Sequence, residues 1–219
     1  MDLPVIAYVD ESSDERDNFF QDAYDSELFS EIHLLHPDDD ITVLIEKLID
    51  LKIDALVSDF NLADAGQNMY TGAQVVEAFL EVRDDFPCFI RTSWDEAALK
   101  SSNDVNRVYS KNIKQEDLVG RNLFQRIALQ VEHHRSRIES WQSEFDALMD
   151  IAPPQRNAAQ IERIIELDNM LEKQAEKGGS LPSLTKRAML NREGLFAQEE
   201  ELIRRAEKLI AAFKINAGE

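Results

Sequence analysis

Residues 5–11 read VIAYVDE, an apolar run that ends abruptly in two carboxylates. Valine, isoleucine and tyrosine favour strands, and the serines that follow, Ser12 and Ser13, are residues that cap helices. A helical stretch over 14–24 comes next. The segment therefore predicts one strand over 5–9 followed by one helix.

Four more strands are predicted in the first half of the chain, and helical patterns lie between them. The predicted strands cover 31–36, 55–58, 88–92 and 105–110, and the predicted helices cover 41–51, 72–83 and, weakly defined, 95–100. Strands that alternate with helices indicate an α/β fold built on a five-stranded parallel, doubly wound sheet of the flavodoxin-like kind. Ligands of such sheets bind beyond the carboxyl ends of the strands.

The residues at those strand ends form a chemically coherent set. Asp10 and Glu11 follow the first strand, Asp59 the third, Thr92 ends the fourth and Lys111 follows the fifth. Carboxylates gathered at one edge repel one another, and a hard cation with oxygen ligands, such as Mg²⁺, offsets that repulsion. A phosphoryl group on one carboxylate could accept a hydrogen bond from Thr92 and pair with the Lys111 ammonium. Phosphoryl transfer depends mainly on such positioning and charge neutralisation.

Taken in order, these segments resemble the receiver domain of two-component response regulators, over about residues 4–118. The matching segments are 5–11 (VIAYVDE), 54–62 (DALVSDFNL), 90–93 (IRTS) and 109–111 (YSK). The resemblance implies that Asp59 accepts a phosphoryl group from a histidine kinase or a phosphotransfer protein. It also implies a phosphoacceptor protein with at most slow self-dephosphorylation, and not an enzyme with catalytic residues of its own.

The same resemblance implies roles for the neighbouring residues. Glu11 and Asp59 would bind Mg²⁺ together with the main-chain carbonyl of Asn61, and Asp10 would act through a metal-bound water. Thr92 and Lys111 would contact the phosphoryl oxygens and convey the presence of the group to the rest of the domain.

Two positions depart from the family's pattern. Receivers commonly carry Tyr or Phe three residues before the lysine and Pro directly after it, whereas this chain has Val108 and Asn112. Tyr109 lies one residue later than the usual aromatic, and strand alternation predicts that it points to the opposite face of the sheet. The sequence therefore leaves open a switching regulator and, as the alternative, a phosphate sink or a non-switching scaffold.

The formal net charge of −19 is unevenly distributed. Residues 1–120 hold 9 Lys and Arg against 27 Asp and Glu, whereas residues 121–219 hold 15 against 16. Nucleic-acid backbones attract clustered cations, so we expect no nucleic-acid partner, and a DNA-binding regulator is the less favoured interpretation. The sequence contains no apolar run long enough to span a bilayer and no basic signal-like start, so we expect no membrane association and a cytoplasmic protein.

The second half, 119–219, is predicted to be all-α, with a stalk helix over 117–149, a short helix within 181–190 and longer helices near 157–177 and 192–215. Apolar residues of the stalk alternate at spacings of three and four, as in a coiled coil. This seam is apolar at every position except His134, and its members are Phe124, Ile127, Val131, His134, Ile138, Trp141, Phe145 and Leu148. The stalk can fold back on the later helices or pair with a second chain. We expect a homodimer through residues 124–148 and a protein effector as a further partner.

Overall fold

The computed structural model describes residues 2–62, 70–93, 100, 102, 104–111, 122–174 and 181–217. The chain forms two compact units, Met1–Arg137 and Ile138–Glu219. Within the described part of the chain, no helix combines the length and the apolarity that are needed to cross a bilayer.

A five-stranded sheet forms the centre of the first unit. Its order is β2-β1-β3-β4-β5, and every neighbouring pair is parallel. This is the doubly wound order of flavodoxin-like folds, so the predicted fold class is confirmed. The strands are β1 (Val5–Val9), β2 (Glu31–Leu35), β3 (Ala55–Asp59), β4 (Cys88–Thr92) and β5 (Val108–Ser110).

Within the described residues, four helices accompany this sheet: α1 (Ser13–Asp25), α2 (Ile41–Asp50), α3 (Gly72–Val82) and α4 (Leu123–Met149). Successive residues of a strand point to opposite faces, so each buried strand serves two cores. One core joins β1, β3 and β4 to α2 and α3, with Leu44, Leu48 and Phe79 fully buried. The other core joins the opposite faces of those strands to α1 and α4, with Phe19, Phe124 and Ile127 buried.

The start of α4 belongs to the first unit, so the division after Arg137 differs from the predicted border near 118. Phe124, Ile127 and Val131 are buried, and the Phe124 ring lies 5.4 Å from the Phe19 ring. An amphipathic helix with this spacing can cover a sheet as well as pair with another helix. The predicted dimer seam is therefore corrected over 124–134, because those side chains are already buried in their own chain.

The fifth strand is shorter than predicted. The predicted strand began at residue 105, but Val105–Arg107 form a 3₁₀ turn and β5 begins at Val108. Asp104 caps that turn, because its side chain accepts the Asn106 N–H at 3.0 Å and its carbonyl accepts the Arg107 N–H at 3.1 Å. Two predicted segments lie outside the described residues. They are the helix over 95–100, except for Lys100, and the stalk residues 117–121.

The second unit contains the end of α4, a 3₁₀ turn at Pro153–Gln155, α5 (Ala158–Glu172) and α6 (Ser183–Ala217). Asn157 caps α5 with a reciprocal pair of side-chain bonds to Gln160, close to the predicted start of this helix. The described helix ends at Glu172 rather than at 177. The two helices predicted over 181–190 and 192–215 are one helix, α6, since a single interior residue such as Gly194 weakens a helix without ending it.

Ion pairs hold the helices of this unit together. Arg163 binds Glu144 of α4 with two bonds of 2.8 Å, and Arg156 donates to the Met149 carbonyl at 2.7 Å at the end of the same helix. Lys186 of α6 is buried. The remaining seam positions of α4, over 138–148, are half-buried, as the fold-back alternative predicts for this part of the stalk.

The packing of α4 on the sheet predicts a large difference between two truncations on that helix. Phe124→Ala should lower the free energy of unfolding of the first unit by about 3–4 kcal/mol, because it leaves a cavity beside Phe19. Leu129→Ala, at a side chain that is 40% exposed, should cost less than about 1 kcal/mol. Urea denaturation followed by circular dichroism measures both, and equally small losses would contradict the packing.

Candidate functional site

Three carboxylates meet at the carboxyl edge of the sheet. β1 and β3 are neighbours in the sheet, so the ends of these strands bring Asp10, Glu11 and Asp59 together. One oxygen from each carboxylate lies within 4.8 Å of the others. Asp10 and Asp59 are buried and Glu11 is half-buried. The strand pattern predicted this convergence.

Asp10 is held by three donors. Its Oδ1 accepts the Ser12 N–H at 2.9 Å, at the N-cap of α1. Its Oδ2 accepts hydrogen bonds from the Tyr8 hydroxyl and from Lys111 Nζ, the latter at 3.0 Å. The Tyr8 ring stacks on the Phe19 ring at 4.0 Å, so the hydroxyl is positioned by the core beneath the site. The sequence pattern did not single out Tyr8, because strand propensity alone accounts for a tyrosine there.

Asp59 has one cationic and one backbone partner. Its Oδ1 lies 2.7 Å from Lys111 Nζ, and its Oδ2 accepts the Asn61 N–H at 2.7 Å. Burial raises the pKa of Asp59, and the hydrogen bond and charge of Lys111 oppose that rise. Asn61 contacts Asp59 through its backbone N–H. The metal-binding role that the family resemblance implies for Asn61 belongs to its main-chain carbonyl.

Lys111 is the cation that these acids share. Besides Asp10 and Asp59, its Nζ contacts Glu15 Oε2 at 3.2 Å. Burial favours the neutral amine, but the hydrogen bonds and charges of Asp59 and Asp10 outweigh it and raise the pKa of Lys111. Glu15 was not predicted as a site residue. It lies in the first turn of α1, where an acid also suits the helix dipole. The sequence position of Glu15 therefore did not show whether it stabilises the helix or belongs to the site.

One oxygen of Glu11 differs from those of Asp10 and Asp59. Its Oε2 atom is buried with no hydrogen-bond partner among the described residues. Burial, followed by the negative charges of Asp10 and Asp59, raises the pKa of Glu11 to about 7, although a backbone hydrogen bond of its own acts in the other direction. An unpaired carboxylate oxygen beside two further carboxylates is a donor set that suits a hard divalent cation. The residues present therefore fit Mg²⁺.

The end of β4 supplies two further polar residues. Thr92 is buried, and its carbonyl accepts the Lys111 N–H at 2.7 Å, which fixes the turn that carries the lysine. The Arg91 guanidinium lies 4.0 Å from Glu15 and 5.6 Å from the centre of the Phe19 ring. Arg91 therefore adds a second positive charge near this edge. The sequence pattern did not reveal its contacts with Glu15 and Phe19.

Gly72 allows α3 to begin against the end of β3. Its N–H donates to the Phe60 carbonyl at 2.9 Å, and a Cβ atom at this position would lie 1.8 Å from the Asp59 carbonyl oxygen. A larger residue would have to displace the segment that carries Asp59. The sequence placed Gly72 at a helix start but did not reveal this close approach.

Val108 and Tyr109, which are neighbours on β5, point to opposite faces of the sheet, as strand alternation predicts. Val108 packs with the core on the α2 and α3 side. Tyr109 packs on the other side, with its ring 5.7 Å from the Phe89 ring and 5.5 Å from the Arg126 guanidinium. No aromatic side chain therefore occupies position 108, where receivers commonly carry one.

The raised pKa of Glu11 predicts how stability depends on pH in a buffer without divalent cations. A carboxyl group whose pKa is higher in the folded state than in the unfolded state destabilises the fold when it ionises, so the contribution of Glu11 to wild-type stability should fall as pH rises from about 4.5 to 7. Glu11→Gln should therefore raise the free energy of unfolding at pH 8 by about 1–2 kcal/mol, a value discounted for partial exposure, and change it little at pH 5.

Urea denaturation at both pH values measures this effect, with the exposed Glu132→Gln as the matched control. An equal effect of Glu11→Gln at pH 5 and pH 8 would show that Glu11 does not titrate in this range.

No family model and no curated protein matches this chain. Among solved structures, the anti-anti-sigma factor PhyR from Bartonella quintana is similar over 64% of this chain at 13% identity and a TM-score of 0.44, and this chain spans about half (51%) of that one. RcsB from Salmonella enterica serovar Typhimurium, bound to promoter rprA in the presence of BeF3-, is similar over 85% of this chain and 99% of its own at 13% identity and a TM-score of 0.42. Likeness at this level carries no functional assignment. The strand order and the edge geometry show that Met1–Arg137 has a receiver-like fold.

Proposed function

We propose that this chain is a phosphoacceptor protein of the two-component kind, in which Asp59 takes a phosphoryl group from a histidine kinase or a phosphotransfer protein. The observation that carries the proposal is the position of Lys111 Nζ, 2.7 Å from Asp59 and 3.0 Å from Asp10. Acceptor carboxylate, acidic neighbours and lysine thus meet at the ligand-binding edge of a doubly wound sheet.

The transfer step requires no further reactant. An oxygen of the Asp59 carboxylate attacks the phosphorus of a phosphohistidine, the P–N bond breaks with its electron pair returning to the imidazole nitrogen, and an acyl phosphate forms. The Lys111 ammonium lies beside the attacking carboxylate, where it can stabilise the negative charge of the transferred group. Thr92, at the end of the adjacent strand, is the proposed hydrogen-bond donor to a phosphoryl oxygen. The acyl phosphate would then hydrolyse slowly, without a dedicated catalytic residue.

Magnesium is the proposed cofactor. Glu11 and Asp59 would hold it with the Asn61 carbonyl, and Asp10 would act through a metal-bound water. The cation would neutralise the carboxylates and the incoming phosphoryl oxygens. The unpartnered Glu11 oxygen supports this assignment.

The second unit is proposed to convey the signal to a protein partner. Residues 138–219 hold 11 Lys and Arg against 15 Asp and Glu, so their charge does not favour a nucleic-acid backbone. We therefore do not extend to this chain the DNA binding that the RcsB structures describe. A cytoplasmic location is part of the same proposal, because histidine kinases phosphorylate their receivers there.

A phosphate sink or scaffold is the second candidate, and the β5 geometry favours it. Val108 packs on one face and Tyr109 on the other, so position 108 carries no aromatic side chain of the kind that receivers commonly have there. The two roles differ in one observable property. Phosphorylation of a switching protein should change amide hydrogen exchange in α4, whereas phosphorylation of a sink should change it only around Asp59.

Beryllofluoride, which mimics a phosphoryl group on a carboxylate, tests the acceptor role. With Mg²⁺ and saturating beryllofluoride, the wild type should melt about 5 °C or more higher, because a ligand at a hundred times its dissociation constant adds about 2.7 kcal/mol. Asp59→Asn should abolish that shift. Asp22→Asn, at an exposed residue of α1, is the matched control and should retain it. The same small shift in all three proteins would refute the acceptor role.

A further inference from the structure

One carboxylate oxygen of Glu15 faces two cations at the carboxyl edge of the sheet. Glu15 Oε2 lies 3.2 Å from Lys111 Nζ and 4.0 Å from Arg91 Nη1. The Glu15 side chain is 39% exposed, whereas those of Arg91 and Lys111 are 15% and 12% exposed. Glu15 is therefore the member of this group whose side chain is freest to change its rotamer.

The ammonium of Lys111 has no N–H group to spare. An ammonium carries three donors, and Lys111 Nζ contacts three carboxylate oxygens, at 2.7 Å on Asp59, 3.0 Å on Asp10 and 3.2 Å on Glu15. A phosphoryl group on Asp59 would raise the negative charge beside this ammonium. Its oxygens would repel the two neighbouring carboxylates and compete with them for the same N–H groups.

Of these two carboxylates, that of Asp10 is the more firmly held. Asp10 is buried, its Oδ1 accepts the Ser12 N–H at 2.9 Å, and its Oδ2 accepts a hydrogen bond from the Tyr8 hydroxyl. Glu15 makes the longest of the three contacts with Lys111, from a longer and more exposed side chain. The contact between Glu15 and Lys111 is therefore the one that a phosphoryl group would displace most easily.

Arg91 offers the displaced carboxylate a second cation. Its Nη1 atom is buried and has no hydrogen-bond partner among the described residues. The guanidinium lies 5.8 Å from the centre of the Tyr8 ring and 5.6 Å from that of Phe19, so the core beneath the site positions it. A shift of about 1 Å would bring Glu15 Oε2 within hydrogen-bond distance of this atom. Because a buried N–H without an acceptor is costly, the new bond would offset the loss of the contact with Lys111.

We propose that Glu15 is a positioning residue that acts through Lys111 and opposes phosphorylation of Asp59. Its carboxylate contacts Lys111 in the unphosphorylated protein and transfers to Arg91 when a phosphoryl group occupies the site. This proposal rests on the proposed acceptor role of Asp59. It adds that an acid of α1, which neither accepts the group nor belongs to the proposed magnesium ligands, lowers the affinity of the site for the phosphoryl group.

The affinity for beryllofluoride at saturating Mg²⁺ tests the role of Glu15. Melting temperatures over a range of beryllofluoride concentrations give the dissociation constant. Glu15→Gln should lower that constant about five- to tenfold, because it removes a negative charge that repels the phosphoryl mimic. Asp14→Asn removes the same charge from an exposed position in the same turn of α1, so it is the matched control and should change the constant less than about twofold.

The direction of the change separates this proposal from a role in which Glu15 holds Lys111 where the phosphoryl group needs it. In that role, Glu15→Gln would weaken binding. If the wild type binds the mimic through Asp59 and Glu15→Gln binds it equally or less tightly, the proposal is overturned and the acceptor role of Asp59 stands. A wild type that shows no shift dependent on Asp59 would overturn both.

A double-mutant cycle with Arg91→Met tests the transfer to Arg91. Methionine retains an apolar stem against the Phe19 ring but lacks the charge. Arg91→Met should weaken beryllofluoride binding at least about threefold more in the wild-type background than in the Glu15→Gln background, because only Glu15 needs the second cation. Equal effects in the two backgrounds would contradict the transfer. Circular dichroism checks that each variant is folded, and the comparison of Glu15→Gln with the wild type does not depend on the Arg91 variant.

Discussion

One ammonium group holds the edge of the sheet together. Lys111 Nζ contacts carboxylate oxygens of Asp10, Glu15 and Asp59, and it does so from a side chain that is only 12% exposed. Carboxylates so close together in a buried setting stay ionised only with a cation between them. The strand order makes the contact possible, because it places the ends of β1 and β3 side by side and ends β5 at the residue before the lysine. Lys111 does not neutralise the whole edge: burial first, and then the negative charges of Asp10 and Asp59, raise the pKa of Glu11.

Local pattern was sufficient to predict the sheet and the residues at its edge. A short apolar run that ends in a charged residue identifies both a strand and the position of a polar side chain, so Asp10, Asp59 and Lys111 followed from the same observation as β1, β3 and β5. Contacts that depend on tertiary packing could not be predicted in this way. The Tyr8 hydroxyl bond to Asp10 and the close approach of Gly72 to the Asp59 backbone arise from how the elements pack. Neither residue type is unusual for its element.

Helical periodicity was informative about helices but not about their partners. The apolar spacing over 124–148 is compatible with a coiled coil, yet Phe124 and Val131 cover the sheet and the remainder folds into the second unit. In α6 the same kind of spacing, at Leu195 and Leu202, leads to exposed side chains. A heptad pattern thus shows that a helix has one apolar side, and only the three-dimensional structure distinguishes a side that is already covered from one that is not.

The acceptor role of Asp59 is tested most directly by locating the phosphoryl group after the full chain has reacted with a small phosphodonor, such as acetyl phosphate, in the presence of Mg²⁺. Borohydride reduces an aspartyl phosphate to homoserine, which peptide mass spectrometry assigns to a single position. We expect homoserine at position 59 and none when Mg²⁺ is omitted. Homoserine at another aspartate, or none in a folded protein supplied with Mg²⁺, would contradict it.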